Sequence, residues 1–443
     1  RPADLPLDTL PPPPPSVPHR IEDRFALAAE TEEMVVISQP GSNRMLVKAA
    51  TLTRLVEHLT NEKFPDPDYV LTFLLTYRSF TRPIDLLELL IQRFDMATPL
   101  TYSDDDFRRF NKEKQTVIRL RVFNVLKTWV DKHSYDFIDA DDDLITKLHD
   151  FLDTTMPKSG MARAAQQIRA LLEKRYQGRD EIEKMMHEAP PRVEIPPGLD
   201  PSIEPFTRLS ACELARQITL IEHTMYCSIR PWECLNQAWT EKGENNIRKL
   251  ISHFNDTSQW VCMRILGAES LRERKSVLTH FIHIAAELRK LNNFNAVMEL
   301  VAGMQFSPIF RLKHTWNALS SKTRSTYESL CALVDRSKNY KNHRAVMRTI
   351  HPPCIPYLGI TLTDLTFIED GNSNMTADGL INFDKRNKIS REIRTIQQFQ
   401  NTPYCLTELP VVRDWLYHVF SQPYDENDAY AISQRLEPKH ASV

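Results

Sequence analysis

The chain has 443 residues, with 56 Lys plus Arg against 58 Asp plus Glu and a formal net charge of -2. That length suffices for two to three folded units at about 100 to 200 residues each, and the near-neutral balance gives no overall pull towards phosphate backbones, so nucleic acid is not an expected partner. Only 10 glycines occur beside 29 prolines, which leaves little room for glycine-rich phosphate loops or tight hairpins and points to an all-α fold.

Residues 1–40 are dominated by the run Leu10-Pro11-Pro12-Pro13-Pro14-Pro15-Ser16, which suits polyproline II and supplies no core. They are predicted to be a linker; docking on an SH3-type groove is the sharper reading and a plain spacer the blander one. A first helical domain is predicted over 41–187. Leu52, Leu55, Val56 and Leu59 recur at i, i+3, i+4 and i+7 behind Thr51, a natural N-cap. Further helical patterns cover 66–75, with Pro67 acceptable in a first turn, then 83–94, 116–130 and 162–186. Prolines concentrated over 188–207 mark a linker.

A second, larger helical domain is predicted over 208–443, opening at Ser210 and Glu213 with the spacing of a capping box. Helical patterns then fill 246–266, 271–291 and 321–334. Towards the C-terminus, Leu362, Leu365, Ile368 and Glu369 share one face of a short helix that Gly371-Asn372 should stop, and Ile389, Ile393, Ile396 and Phe399 stripe a second. Together they predict a protruding helical hairpin. On these residues alone, an ordinary packed hairpin is the simpler reading.

Signatures of covalent chemistry are missing from the sequence: no P-loop, no G-x-G-x-x-G, no H-E-x-x-H, no G-x-S-x-G and no paired C-x-x-C. His280 and His283 sit three apart, but without a carboxylate or thiol at suitable spacing they favour a structural role over a metal site. Cys354 has no nearby cation to activate it and reads as a packed thiol. Seven cysteines, an odd and irregular set, fit reduced thiols and a cytoplasmic setting. No apolar run is long enough for a transmembrane helix, and a start at Arg1 without a signal-peptide core reads as a soluble segment of a longer protein. No cofactor and no metal are expected.

Several of these segments are similar to a known family. Pro352-Pro353-Cys354-Ile355-Pro356-Tyr357-Leu358-Gly359, Ile368-Glu369-Asp370-Gly371-Asn372, Leu380-Ile381-Asn382-Phe383 and Gln400-Asn401-Thr402-Pro403-Tyr404 resemble the catalytic domain of Ras guanine-nucleotide exchange factors of the Sos and Ras-GRF kind. So do Leu291-Asn292-Asn293-Phe294-Asn295 and Phe310-Arg311-Leu312. Phe73 to Phe80 and Leu120 to Val125 resemble the Ras exchanger motif domain that precedes it.

The resemblance implies a regulatory exchange factor, not an enzyme of covalent chemistry, in small GTPase signalling. Its partner would be a Ras-family small GTPase, with Ras favoured over Rap, met at the membrane where that partner is anchored. In the family the hairpin wedges between the two switch regions, so that Mg²⁺ and phosphates lose their ligands and GDP leaves. By resemblance the catalytic positions are Tyr357, Thr363, Thr366, Asp370 and Asn372, with Phe310, Tyr340, Arg274, Asn382 and Lys388 as further GTPase contacts. Arg274 and Lys388 equally suit solvated helix charges, and Asn382 a helix cap. Relatives can carry a larger apolar residue at Thr366 and Glu at Asp370, which puts steric exclusion of Mg²⁺ by Thr366 in question. The exchanger motif domain is expected to brace the hairpin. Leu120 and Arg121 match a distal site for a second GTPase, but no aromatic occurs between Leu152 and Tyr176 to complete it; Leu120 in the core and Arg121 on the surface is the alternative. A scaffold that binds the GTPase without exchange is the rival function.

Overall fold

The computed structural model of the chain describes residues 34–38, 45–63, 65–96, 114–138, 142–176, 189–195, 200–203 and 205–438. The proline run read as an SH3-type ligand lies outside these residues. Helices begin where the sequence supplies a cap. Thr51 accepts the Arg54 N–H ahead of Leu52–Leu59. Asp66 accepts the Tyr69 N–H ahead of Pro67–Thr76, with Pro67 in the first turn, and Pro83 opens Pro83–Phe94. Thr116–Lys132, Asp142–Asp150 and Ala162–Tyr176 follow; the expected continuation of the last to 186 lies outside the described residues.

Ser210 caps Ala211–Cys227, accepting the Glu213 N–H at 3.2 Å. The reciprocal half of the capping box is replaced: the Glu213 carboxylate accepts from the Glu194 N–H, the Gln217 amide and Arg216. Next come Asn246–Leu266, Leu271–Lys290, Phe294–Gln305 and Ser321–Leu333. The two hairpin helices are Leu358–Gly371 and Phe383–Gln400, and Pro410–Phe420 and Glu426–Leu436 end the helical series.

Among the described residues, one small sheet interrupts the all-α character. Its strands are β1 (Met34–Ser38), β2 (Met45–Ala50) and β3 (Ile381–Asn382), in the order β1-β2-β3 and antiparallel throughout. Ala49 pairs with Asn382 and Ala50 with Ile381. β1 lies inside the residues read as a linker, and the reason is local: Val35, Val36 and Ile37 are β-branched and suit a pleated strand.

The chain divides into two units. The first joins Arg1–Glu183 with Cys234–Lys242 and Leu365–Ile393. Its core runs through Phe73, Leu90, Phe94, Leu126, Trp129 and Phe151 and takes in Ile381 and Phe383. Phe383 stacks on Tyr69 at 4.8 Å and lies 6.5 Å from Phe73, while the Ser390 hydroxyl meets Thr72 at 3.3 Å. With the β2–β3 pairing, these contacts anchor the connected end of the hairpin, where its second helix begins, in the first unit. Deep in that unit the buried Asp136 carboxylate accepts from the Tyr77 hydroxyl at 2.6 Å, the Trp129 indole at 2.7 Å and the Arg78 Nε at 2.8 Å, so a buried charge is fully engaged.

The second unit joins Lys184–Glu233, Gly243–Asp364 and Arg394–Val443. Within it, Asn246–Leu266 and Phe294–Gln305 approach closely at Gly303, where an added Cβ would lie 2.4 Å from the Ser258 carbonyl and 2.8 Å from the Val261 Cβ. Only glycine fits there. The Ser258 hydroxyl ties the same pair of helices by donating to the Glu299 carbonyl at 3.0 Å.

Candidate functional site

The first part of the site is the hairpin tip, in the first unit. Glu369 forms a buried ion pair with Lys385 at 2.5 Å and also accepts the Asn236 N–H at 3.0 Å. Asp370, exposed at the helix end, accepts from the Gln237 amide at 2.8 Å. Asn372 links the two hairpin helices: its amide donates to the Ile368 carbonyl at 2.8 Å and its oxygen accepts from Lys388 at 3.0 Å. Lys388 also pairs with Asp384 at 3.0 Å while its side chain stays 41% exposed, so it ties the hairpin and remains a solvated helix charge. Asn382 caps the second hairpin helix through the Lys385 N–H at 3.1 Å and donates to the Ser373 carbonyl at 3.0 Å. Thr366 is half-buried, whereas the neighbouring Phe367 is 67% exposed. Beneath the tip, burial pushes the Arg386 guanidinium down to about 10, with Glu369 opposing the shift, and its cation lies over the Phe80 ring at 5.8 Å.

Asn236, Gln237, Glu369, Asp370, Asn372, Ser373, Asn374 and Lys385 line an open polar hollow of about 390 Å³. Both faces of that hollow are hydrogen-bonding and it has little apolar lining to hold an organic cofactor.

The second part lies in the second unit. Tyr357 is half-buried between Phe254, at 5.7 Å between ring centres, and Tyr340, at 5.9 Å. Burial first, and Tyr340 second, push its phenol up to about 12, so it stays protonated. Tyr340 is delivered by an unusual segment: Lys338, Asn339 and Tyr340 all take left-handed backbone, with φ of 52, 54 and 55°. The following helical turn is held by Arg344, which meets both Asp364 oxygens at 2.8 and 2.9 Å. Thr363 is exposed and donates to the Gly359 carbonyl at 2.7 Å. Phe310 is 59% exposed with the Lys313 ammonium 4.4 Å over its ring, a large apolar face open to a partner.

Other expected residues fall elsewhere. Arg274 is buried and donates to the Thr315 hydroxyl at 2.9 Å and the Ala268 and Glu269 carbonyls at 2.9 and 2.8 Å, with Glu437 3.7 Å away. Its guanidinium is consumed by the second unit's own fold, which corrects its reading both as a partner contact and as a solvated charge. Leu120 is 48% exposed and outside the core, against the packed alternative, and Arg121 beside it is half-buried. His280 packs edge-on to Phe206 at 4.8 Å, and burial pushes it down to about 4. Cys354 is buried, its thiol pushed up to about 12.

Among the described residues, the group suited to a metal by donor type is Glu222, His253 and Glu299, whose ligand atoms lie within 4.8 Å of one another. All three are buried, and the Asn295 amide already donates to Glu222 at 3.1 Å and Glu299 at 2.9 Å. Burial first and the adjacent Glu222 second hold the Glu299 carboxyl well above the usual carboxylate range. Glu222 Oε2, Glu299 Oε2 and His253 Nε2 have no hydrogen-bond partner among the described residues, and burial beside a second carboxyl favours the neutral form of Glu299.

Sequence reasoning missed Gln237, Phe254, Arg344 and Phe367. A signal existed only for Phe367, an aromatic standing off the apolar stripe of the first hairpin helix. The others act through contacts that no local pattern encodes.

Comparison with known proteins follows the same division. Residues 46–151 match the RasGEF N-terminal motif and residues 213–387 the RasGEF domain. The chain is 32% identical over 470 aligned residues to Ras guanine nucleotide exchange factor Y of Dictyostelium discoideum, covering 96% of this chain and 31% of that protein. It is 31% identical to the protein son of sevenless of Drosophila melanogaster, covering 94% of this chain and 28% of that one. With Ras guanine nucleotide exchange factor A of Dictyostelium discoideum it shares 34% identity over 89% of this chain and 66% of the relative. The chain thus spans about a third of the length of the first two. No helix among the described residues is long and apolar enough to cross a membrane.

Proposed function

The chain belongs to the RasGEF family, and from that premise we propose that it binds a Ras-family small GTPase, inserts the hairpin of residues 358–400 between the switch regions and releases GDP so that GTP can load. Residues 41–187 serve as the exchanger motif domain and 208–443 as the catalytic domain, with Ras favoured over Rap as partner, met where it is anchored at a membrane. The observation that carries this reading is the hairpin itself. Its connected end is fixed in the first unit's core through Phe383 and β3, and the same end presents the exposed Asp370 carboxylate. A rigid element ending in a negative charge suits displacement of phosphate and competition for its cationic ligands.

Release by such a wedge is a linkage effect. A protein that binds the nucleotide-free GTPase more tightly than the loaded form lowers nucleotide affinity by the same factor. Four decades of faster release require about 5.5 kcal/mol of differential binding at the barrier. Apolar and aromatic anchors supply energies of that order, and a lone exposed charge does not. Tyr357, Tyr340 and Phe310 are therefore assigned as anchors on the GTPase. Thr363, Thr366, Asp370 and Asn372 act at the hairpin, where Asn382 and Lys388 hold its shape. The rival reading, a scaffold that binds without exchange, is separated by labelled-GDP release from Ras: the exchange reading requires acceleration, the scaffold binding alone.

A further inference from the structure

Within the first unit, one turn outside the motifs reaches the hairpin tip. Asn236 and Gln237 both adopt left-handed backbone, with φ of 50 and 55°. Asn tolerates this region, but Gln seldom takes it. The turn is fixed from behind: the Gln237 carbonyl accepts from the Thr240 N–H and the Thr240 hydroxyl, both at 2.8 Å, and the intervening Trp239 is buried. From its front, consecutive groups reach consecutive acids. The Asn236 N–H donates to Glu369 Oε1 at 3.0 Å and the Gln237 Nε2 to Asp370 Oδ1 at 2.8 Å.

The two acids are then treated differently. Glu369 also receives the buried Lys385 ammonium, an ion pair that closes it off. Asp370 receives only a neutral amide among the bonds the structure records, so it keeps its negative charge and its exposure while losing its freedom to rotate. It sits at a helix C-terminus, where the macrodipole disfavours a carboxylate, and a donor there offsets that penalty.

We propose that Gln237 is a positioning residue for nucleotide release, holding the Asp370 carboxylate in a single rotamer before the GTPase docks. The inference rests on the exchange reading above. An exposed Asp without this donor samples several staggered rotamers, and docking must then select one of them; a side chain ordered beforehand removes that cost from the bound state. A Lys or Arg in place of Gln237 would hold Asp370 equally well but cancel the charge that faces the phosphates.

The test is a double-mutant cycle on GDP release, with the full chain and Ras carrying labelled GDP. Gln237→Ala is expected to lower the rate at saturating chain about fivefold, as for one hydrogen bond to a charged group at a partly solvated site, and to leave the half-saturating concentration nearly unchanged. In an Asp370→Ala background, the same substitution should cost nothing further. Gln237→Glu, which places a second carboxylate against Asp370, should lower the rate more than Gln237→Ala. Gln237→Met keeps the side chain's length without the donor and replaces Gln237→Ala if that variant unfolds. A rate within 1.5-fold of the parent in both Gln237→Ala and Gln237→Met, or an equal loss in both Asp370 backgrounds, overturns the proposal while the exchange reading stands. A parent chain that binds Ras without speeding release overturns both.

Discussion

Replacing Tyr357 by Ala tests the aromatic anchor. Its ring has two aromatic neighbours in the second unit, Phe254 at 5.7 Å and Tyr340 at 5.9 Å, and such pairs contribute about 0.5 to 1.5 kcal/mol each. Losing both lowers the melting temperature by a few degrees, at roughly 2 to 4 °C per kcal/mol for a unit of this size. The larger effect is expected on the partner. Truncating a central interface aromatic commonly costs about 2 kcal/mol or more, which is roughly thirtyfold in exchange rate. Tyr357→Phe separates ring from hydroxyl: the phenol is pushed up to about 12 and never ionises in the assay, so the Phe variant should retain exchange within about threefold. Ring position matters as well, because a Cβ on Gly359 would stand 2.4 Å from the Tyr357 Cζ; Gly359→Ala should therefore displace the ring and imitate part of the loss. The readout is labelled-GDP release from Ras, with circular dichroism as the control for fold. If Tyr357→Ala exchanges within twofold of the parent while its helical signal is unchanged, the anchor assignment is wrong.

Lys385→Met leaves the buried Glu369 carboxylate without its cation, and breaking a buried pair from one side costs about 3 kcal/mol or more; a urea titration should show the loss, and a stability equal to the parent's would contradict the pairing. Stability should also fall on acidification from pH 6.5 towards 4. Burial pushes His133, His280 and His343 from 6.5 down to about 4, so the unfolded chain takes up protons through this window before the folded one does. His133→Gln should flatten that slope in urea midpoints measured against pH, and an unchanged slope would show that His133 is protonated in the fold. GTP-loaded Ras locked against exchange should stimulate release at most a few-fold: Leu120 is exposed and available, but Met161, in the stretch where an aromatic is lacking, packs against the first core. Tenfold stimulation abolished by Arg121→Glu would show a fully working distal site.

Helix starts were legible because their signals are local. Thr51, Asp66 and Ser210 each cap the helix that follows, and Pro67 and Pro83 sit in first turns. Both hairpin helices showed in their apolar stripes for the same reason. β1 was obscured because it is a five-residue strand at the end of a segment read whole as a linker, and its partner β2 blends into the helix that follows Thr51. In the site, the residue types at Tyr357 and Asp370 could be read by resemblance, but their surroundings could not. Phe254 lies about a hundred positions before Tyr357, and Gln237 is 133 positions from Asp370. Arg274 was misread because a charged residue at a helix start carries no mark of burial; Thr315 and the distant Glu437 draw it inward. The acidic pair Glu222 and Glu299 was invisible in sequence because each looks like an ordinary helix charge until the fold buries them together.

The central claim, that this chain opens the nucleotide site of a Ras-family GTPase, is tested most directly by following fluorescent GDP leaving Ras with excess unlabelled GTP and catalytic amounts of the chain. The account predicts release accelerated by about a hundredfold or more, saturating with Ras and lost in Tyr357→Ala. Tight binding of Ras with an unaltered release rate would contradict it and leave a GTPase-binding scaffold in its place.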